Sequence, residues 1–279
     1  MMQNRRDFLK IAGLSALGIT GANPVLDAFA AGGHDAEESV FRILKNEKAL
    51  KAEQWAMVID TRKFESEEAL EPIVEACHKL HNVPDFGDPE LIEENGDCAE
   101  ANKRHEIKWI WEEEYGHAFP GKAGEFVNDR IKHLPFLVLC NHCEEPPCVR
   151  VCPTKATFKR EDGIVLMDFH RCIGCRFCMA ACPYGSRSFN FRDPRPFIKK
   201  EDRNPEFPTR MKGVVEKCNF CAERLAVGKE PACVEASDGA IAFGDLSDPE
   251  SSVRELLKSN YTIRRKQGLG TGPAVYYIV

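Results

Sequence analysis

The spacing of the cysteines constrains this chain more than any other feature of its sequence. Thirteen cysteines occur among 279 residues, and eight of them form two closely spaced runs that each end in Cys-Pro. The first run has the spacing Cys-x2-Cys-x4-Cys-x3-Cys, and the second has the spacing Cys-x2-Cys-x2-Cys-x3-Cys. Their members are Cys140, Cys143, Cys148 and Cys152, followed by Cys172, Cys175, Cys178 and Cys182. Thiols at this density indicate disulfides, zinc sites or iron–sulfur clusters.

The second run has the spacing that is typical of bacterial ferredoxins with two [4Fe–4S] clusters. Three closely spaced thiolates hold one cluster, and the fourth ligates the neighbouring cluster because the intervening helical turn carries it away from the first. The two runs therefore predict cross-paired ligand sets. Set A consists of Cys140, Cys143, Cys148 and Cys182, and set B consists of Cys172, Cys175, Cys178 and Cys152.

Zinc and disulfides are the competing interpretations of these runs. Zinc takes four ligands and would leave a third cysteine of each loop unused. Six disulfides are conceivable in an exported chain, but they do not require two tandem ferredoxin runs that each end in proline. No Cys-x2-Cys pair in the sequence is followed by histidine, as covalent haem attachment requires. The spacing therefore favours [4Fe–4S] clusters.

A third group of cysteines lacks one member of the same pattern. It consists of Cys218, Cys221 and Cys233, with the spacing Cys-x2-Cys-x11-Cys. Ser237 and Asp238 stand where a fourth cysteine and a proline are expected. One cysteine ligand of this group is therefore missing.

Two motifs make the resemblance to a known family specific. The chain reads Cys-Asn-His-Cys-Glu-Glu-Pro-Pro-Cys over 140–148 and Cys-Ile-Gly-Cys over 172–175. It resembles the polysulfide reductase B and NrfC-like family of electron-transfer subunits over roughly residues 55–279. The resemblance implies a non-catalytic subunit that relays single electrons through iron–sulfur clusters.

The family has four clusters, and this chain departs from it at one of them. A further ferredoxin motif opens the family pattern, but residues 64–69 contain none of its three loop cysteines and only the last ligand remains, as Cys77. The family pairs its first motif with its last, which implies a ligand set C of Cys77, Cys218, Cys221 and Cys233. Twelve cysteines would then complete three [4Fe–4S] clusters and leave Cys98 over. An alternative is a site-differentiated cluster with Ser237 or Asp238 as a ligand, which would make the chain an enzyme.

The repeated cysteine loops, each followed by a short apolar strand, predict an α+β chain with duplicated bacterial ferredoxin-like architecture around the clusters. We expect an inner two-cluster domain over 140–212. The outer domain would combine 50–139 with 213–279, hold the third cluster and carry an acidic insertion. Residues 65–114, which contain this insertion, have sixteen acidic and four basic side chains.

Local patterns predict several elements directly. A short apolar run predicts a strand over Trp55–Asp60, and hydrophobic periodicity predicts a helix over Glu67–Leu80 that turns Cys77 towards a core. Residues 161–163 predict a hairpin turn, and the glycine-rich segment 268–272 predicts a turn before a strand at Ala274–Val279. Several residues near ligand loops are candidates for hydrogen bonds to cluster sulfurs or for charge compensation: His78, His81, His142, His170, Arg171, Arg176, Lys217 and Arg224.

The N-terminus predicts export. Residues 1–30 combine an arginine pair at Arg5 and Arg6, a modest apolar run and a small-x-small ending, and resemble a twin-arginine signal peptide. A buried N-terminal helix is the alternative. The apolar run is weaker and shorter than the roughly 20 residues that a membrane span needs. We therefore expect a periplasmic or extracytoplasmic chain without a direct membrane span.

Charge and family resemblance narrow the expected partners. A net charge of −6 lacks the positive surface that nucleic-acid binding requires, so we expect no nucleic acid. The resemblance implies two kinds of partner, an NrfD-like integral membrane subunit that interacts with quinone and a multihaem cytochrome c. In the family, the cluster that set B matches lies at the membrane-anchor end. The missing cluster is the one that faces a molybdopterin subunit, which argues against such a partner here.

Overall fold

Short strands and short helices alternate along the chain in the computed structural model, which describes residues 46–64, 66–96, 105–122, 124 and 126–279. The strands are β1 (Trp55–Asp60), β2 (Ile110–Glu114), β3 (Pro135–Leu139), β4 (Thr157–Lys159), β5 (Val165–Met167), β6 (Ser188–Phe189), β7 (Val215–Glu216), β8 (Ile241–Asp245), β9 (Thr262–Ile263) and β10 (Val275–Ile278). The α-helices are α1 (Glu71–Leu80), α2 (Pro89–Glu94), α3 (Tyr115–Ala118), α4 (Asp129–Lys132), α5 (Pro147–Arg150), α6 (Phe177–Ala181), α7 (Ala222–Leu225), α8 (Ala232–Glu235) and α9 (Ser252–Ser259). This mixed content agrees with the predicted α+β class. The predicted signal peptide and Cys98 lie outside the described residues.

A four-stranded sheet in the order β8–β1–β10–β9 joins distant parts of the chain. The predicted strand Trp55–Asp60 is β1, which pairs parallel with β10 and antiparallel with β8. Successive side chains of a strand point to opposite faces of its sheet. Met57 on one face therefore joins the large core that also contains Cys77, whereas Val58 on the other face packs in a smaller core with Val253 of α9.

The predicted helix over Glu67–Leu80 begins later than its hydrophobic pattern suggests. Residues Glu67–Ala69 form a 3-10 turn, and α1 starts at Glu71 with Pro72 in its first turn. Proline lacks an N–H group and its ring clashes with the carbonyl four residues earlier, so it is tolerated only at the start of a helix. The expected apolar stripe is present, and Cys77 is buried in the core.

Antiparallel strand pairs flank the two cysteine runs. β4 follows the first Cys-Pro pair and pairs with β5 across the predicted turn, where Gly163 has a φ of +84°. β6 follows the second Cys-Pro pair and pairs with β7, and β2 pairs with β3. The strand predicted over Ala274–Val279 is β10, one residue shorter at each end.

Residues 48–279 belong to one compact unit, and the boundary between the inner and outer ferredoxin-like domains remains a prediction. Within the described part of the chain, no helix combines the length and the apolar character that crossing a bilayer demands.

Candidate metal centres

The structure describes all twelve cysteines of the three predicted ligand sets, and none of these twelve forms a disulfide. Their exposure differs between the sets. Every cysteine of set C is buried, and in set A only Cys182 is partly accessible. In set B, by contrast, Cys175 is exposed and both Cys152 and Cys172 are half-buried.

The first Cys-x2-Cys pair of each of the three cysteine groups shares one backbone feature. The residue before the second cysteine has a positive φ in each loop, at 41° for His142, 70° for Gly174 and 54° for Phe220. This left-handed conformation costs a residue other than glycine on the order of 1–3 kcal/mol, so its repetition points to a functional constraint on the loops. In the third loop the Phe220 amide donates to Cys218 Sγ at 3.4 Å.

Set C assembles from two distant parts of the chain. Helix α1 packs against α8 and brings Cys77 towards Cys233. Burial raises the pKa of the Cys77 thiol well above its usual value, and the charges of Cys221, Cys218 and Cys233 raise it further. The structure therefore brings together the four thiols that the family resemblance assigned to set C.

Sets A and B each combine cysteines of both runs. Burial raises the pKa of Cys143 to about 12, and Cys140, Cys148 and Cys182, the other members of set A, contribute to the rise. All four cysteines of set B line a single small cavity, in which Cys152 of the first run meets three members of the second. This arrangement agrees with cross-pairing between the runs.

The donor groups of these sets fit [4Fe–4S] clusters. Each set offers four sulfur atoms, which are the ligands that iron–sulfur clusters take. Thiolate is the ligating form, yet burial and mutual repulsion raise the thiol pKa of Cys77, Cys143 and Cys218. Several buried thiols can ionise side by side only if positive charge lies among them, and the iron of a cluster would supply that charge.

The alternative ligand Ser237 is engaged in internal hydrogen bonds. Its buried hydroxyl donates to the Val234 carbonyl at 2.7 Å and accepts from the Ile241 amide at 3.0 Å. Asp238 is exposed and has a φ of 47°. Phe64 and Leu70, which flank the segment where the family has loop cysteines, are both buried in the core. The geometry therefore does not favour a cluster ligated through Ser237.

Comparison with known proteins identifies the family of this chain. A family model described as a 4Fe-4S dicluster domain matches residues 131–194, which include all eight cysteines of the first two runs. The Hdr-like menaquinol oxidoreductase iron-sulfur subunit 1 of Archaeoglobus fulgidus is 39% identical over 297 residues, covering 99% of this chain and 98% of that protein. The chain belongs to the polysulfide reductase B and NrfC-like family of iron–sulfur electron-transfer subunits.

Two further relatives show the breadth of this family. The menaquinone reductase iron-sulfur cluster-binding subunit of Nitratidesulfovibrio vulgaris is 37% identical over 246 residues, covering 81% of this chain and 88% of that protein. The polysulfide reductase B subunit of Wolinella succinogenes is 43% identical over 141 residues, covering 50% of this chain and 64% of that protein. The relatives are iron–sulfur subunits of oxidoreductases, and the dicluster match indicates [4Fe–4S] clusters in this chain.

Histidines near the ligand loops of this family member have specific partners. His81 donates through Nδ1 to the Cys77 carbonyl at 2.8 Å, and its Nε2 lies 2.9 Å from Glu223. His142 accepts from the Val165 amide at 3.1 Å and stacks on Phe220 with ring centroids 3.7 Å apart. The stack connects a loop of set A with a loop of set C.

The remaining candidates from the sequence have hydrogen-bond, ion-pair or ring partners other than the thiols, or are exposed. The Nε2 atom of His78 lies 3.2 Å from the Ile110 carbonyl oxygen, and His170 is exposed. Lys217 is buried, but its ammonium group donates to the backbone carbonyls of Val165 and Cys218. Three arginines pair outside the ligand sets: Arg171 with Asp168, Arg176 with the rings of Phe189 and Phe191, and Arg224 with Glu235.

The glycine-rich segment 268–272, for which a turn was predicted, also contacts a ligand loop. Its Gly272 carbonyl accepts from the Glu144 amide at 2.8 Å, so the segment packs on the loop of set A. The Thr271 hydroxyl is hydrogen-bonded to Tyr184, and it lowers the pKa of Cys143 against the larger effect of burial. The Gly-x-Gly spacing was the sequence signal for this close approach of two backbones.

Proposed function

We propose that this chain relays single electrons through three [4Fe–4S] clusters in an exported, membrane-associated oxidoreductase complex of dissimilatory sulfur metabolism. The observation that carries the proposal is the packing of α1, which carries Cys77, against α8, which carries Cys233, since Cys77 would complete a third four-thiol set beside the dicluster segment. Bound clusters would supply reversible one-electron chemistry at potentials that their surroundings set. The chain contributes the thiolates, their burial and the hydrogen bonds around them.

The exposure of set B supports a docking site for a redox partner at that end. Cys175 is exposed, and two large apolar side chains of the same loop, Ile173 and Phe177, are 66% and 58% exposed. Exposed apolar side chains beside a redox site are typical of interaction surfaces. In the resembling family this end faces the membrane anchor, so we assign it to an NrfD-like subunit that interacts with quinone. A multihaem cytochrome c or another redox partner would exchange electrons with the relay elsewhere.

Within the family, we assign the chain to the DsrO-like subunits of DsrMKJOP complexes. Three complete ligand sets, a fourth set without cysteines and a twin-arginine signal form the combination that favours this subgroup. The alternative is the relay subunit of another exported quinone-linked complex, such as the Qrc or Hmc type. Neighbouring genes, and mass spectrometry of the complex purified with its partners, would distinguish these assignments.

Cys77→Ser tests the three-cluster relay. We expect twelve irons per chain in the wild-type protein, and loss or conversion of one cluster with two retained in the variant. Iron and sulfide analysis combined with electron paramagnetic resonance would measure both. An unchanged twelve-iron variant would refute the assignment of Cys77 to set C.

Export is tested separately. Replacement of both Arg5 and Arg6 by lysine should keep the chain in the cytoplasm, because twin-arginine signals depend on the arginine pair. Cell fractionation and immunoblotting would measure the distribution. A variant that still reached the periplasm would contradict the proposed route.

A further inference from the structure

Arg187 is a buried cation for which the sequence carries no signal. Its side chain is 4% exposed, and it follows the second Cys-Pro pair just before β6. The guanidinium donates through Nη1 to the Thr157 hydroxyl at 3.1 Å and lies 3.9 Å from Met167 Sδ. A hydrogen bond with Cys148 contributes to the raised pKa of Arg187, and a hydrogen bond from Arg187 acts to lower the pKa of Cys178. Arg187 thus lies inside the β4–β5 hairpin region, within hydrogen-bonding reach of both thiols.

The negative groups that act most strongly on Arg187 are thiols from two different ligand sets. Burial lowers the pKa of Arg187, but the charges of Cys148, Cys178 and Cys140 outweigh burial and raise it above its usual value. Cys148 and Cys140 belong to set A, whereas Cys178 belongs to set B. Met167, which the guanidinium contacts, packs against the buried cluster that contains Cys148 and Cys178, so Arg187 lies beside thiols of both sets.

Packing shows why one side chain reaches both sets. Helix α5 carries Cys148, helix α6 carries Cys178, and these helices pack against each other. The two thiols share a small buried cluster with Val165 and Val215. Apart from sulfur, the guanidinium and the Thr157 hydroxyl that it contacts, the junction between sets A and B therefore consists largely of apolar side chains. Charges interact strongly in such surroundings because little water screens them.

A charge at this junction has a defined effect on reduction. A [4Fe–4S] cluster with four thiolates carries net negative charge, and reduction adds one more negative charge. A nearby cation stabilises the reduced state more than the oxidised state, which raises the reduction potential. Keeping an arginine buried without a carboxylate partner is unfavourable, unless negative charge on both sides compensates it.

We propose that Arg187 raises the reduction potentials of clusters A and B together, as a single buried cation shared between them. The proposal rests on the three-cluster relay proposed above and adds a residue that sets its energetics. Removal of this shared charge therefore lowers the reduction potentials of both clusters. The solvated arginines at the ligand loops cannot replace it, since water and salt screen their charges.

Potentiometric titration of the purified holoprotein, monitored by electron paramagnetic resonance, tests the proposal with Arg187→Gln. The matched control is Arg171→Gln, which removes the same charge beside Cys172 from a side chain that is 67% exposed. We expect the potentials of clusters A and B to shift to more negative values by clearly more than in the control. Cluster C should keep its wild-type potential. An equal shift in variant and control, or a shift of only one of the two clusters, overturns the proposal.

A second variant keeps the test decisive if Arg187→Gln does not assemble its clusters. Arg187→Lys retains the positive charge and loses the forked guanidinium. Twelve irons with potentials of A and B close to wild type support a role for the charge, whereas loss of iron or displaced potentials indicate a purely structural role and overturn the proposal. Failure of the relay is distinguishable, because it would appear in the wild-type protein as fewer than three reducible clusters.

Discussion

A buried ion pair connects the helix that carries Cys77 to the strand that leads into Cys218. Arg210 Nε lies 2.6 Å from Glu216 Oε2, and both side chains are almost completely excluded from solvent. Arg210 also donates through Nη2 to the Asn82 carbonyl at 2.8 Å, just beyond the end of α1, and through Nη1 to the carbonyl of the preceding residue. The pair therefore links the two parts of the chain that supply set C.

Glu216→Gln should destabilise this link strongly. The Glu216 carboxylate also accepts from Trp109 Nε1 at 2.9 Å and from Asn190 Nδ2 at 2.5 Å. The variant keeps the size of the side chain but leaves the Arg210 charge uncompensated. Removing one partner of a buried ion pair costs about 3–5 kcal/mol. In a unit of this size each kcal/mol lowers the melting temperature by about 2–4 °C, so we expect a decrease of roughly 6–20 °C.

The Glu216→Gln substitution should also release iron selectively from one ligand set. The ion pair holds the end of α1 against the segment before Cys218, so iron at set C should be released before iron at sets A and B. Anaerobic thermal unfolding and iron analysis of the purified protein measure both effects. Glu75→Gln on α1 is the matched control, because Glu75 pairs with Lys79 at 2.7 Å on the surface and exposed pairs contribute little to stability. A Glu216→Gln protein with the melting temperature and iron content of this control would refute the reasoning.

Three further substitutions probe the ligand loops. Gly272→Ala should lower stability by about 1–3 kcal/mol and loosen the loop of set A, because Gly272 has a φ of +60° and a Cβ there would lie 2.8 Å from Glu144 Cβ. The control Gly270→Ala, with a φ of +68° and open space around the Cβ, should keep iron at set A. Equal iron retention by the two variants would contradict the close-contact argument. Gly174→Ala should abolish iron binding at set B alone, since its Cβ would lie 2.5 Å from a backbone carbonyl oxygen, and an intact twelve-iron spectrum would show that the loop can relax. Ser237→Ala should retain all iron and lower stability by about 1–3 kcal/mol, measured as a lower melting temperature, whereas lost iron would favour Ser237 as a ligand.

Local sequence patterns predicted the elements beside the ligand loops because their determinants are local. The short apolar run over Trp55–Asp60 predicted β1 with its observed bounds, and the periodic stripe through Cys77 placed that thiol in the core. The start of α1 was missed although its cause, Pro72, is visible in the sequence. A proline in the interior of an apolar pattern outweighs periodicity, because the helix loses a hydrogen bond and gains a clash.

The side chains that surround the ligand sets could not be predicted in the same way. Arg187 and Arg210 are ordinary arginines in the sequence, and only tertiary packing buries them. The contact between Gly272 and the Cys143 loop likewise depends on how the C-terminal strand enters the sheet next to β1. Contacts between segments that are distant in the sequence decide which charges become buried. A single sequence does not show these contacts directly.

The region beside α1 and the junction of sets A and B differ in the size of their apolar cores. Phe64, Leu70 and Ile73 are buried in the large core beside α1, so the region that lacks a fourth ligand set has a conventional apolar interior. The junction of sets A and B has a much smaller core, in which Cys148 and Cys178 are two of the four fully buried members. A core this small cannot by itself offset the conformational entropy of the short hairpins around it, so ligation there contributes directly to folding. We therefore expect removal of iron to unfold the dicluster segment before the core beside α1 loses its packing.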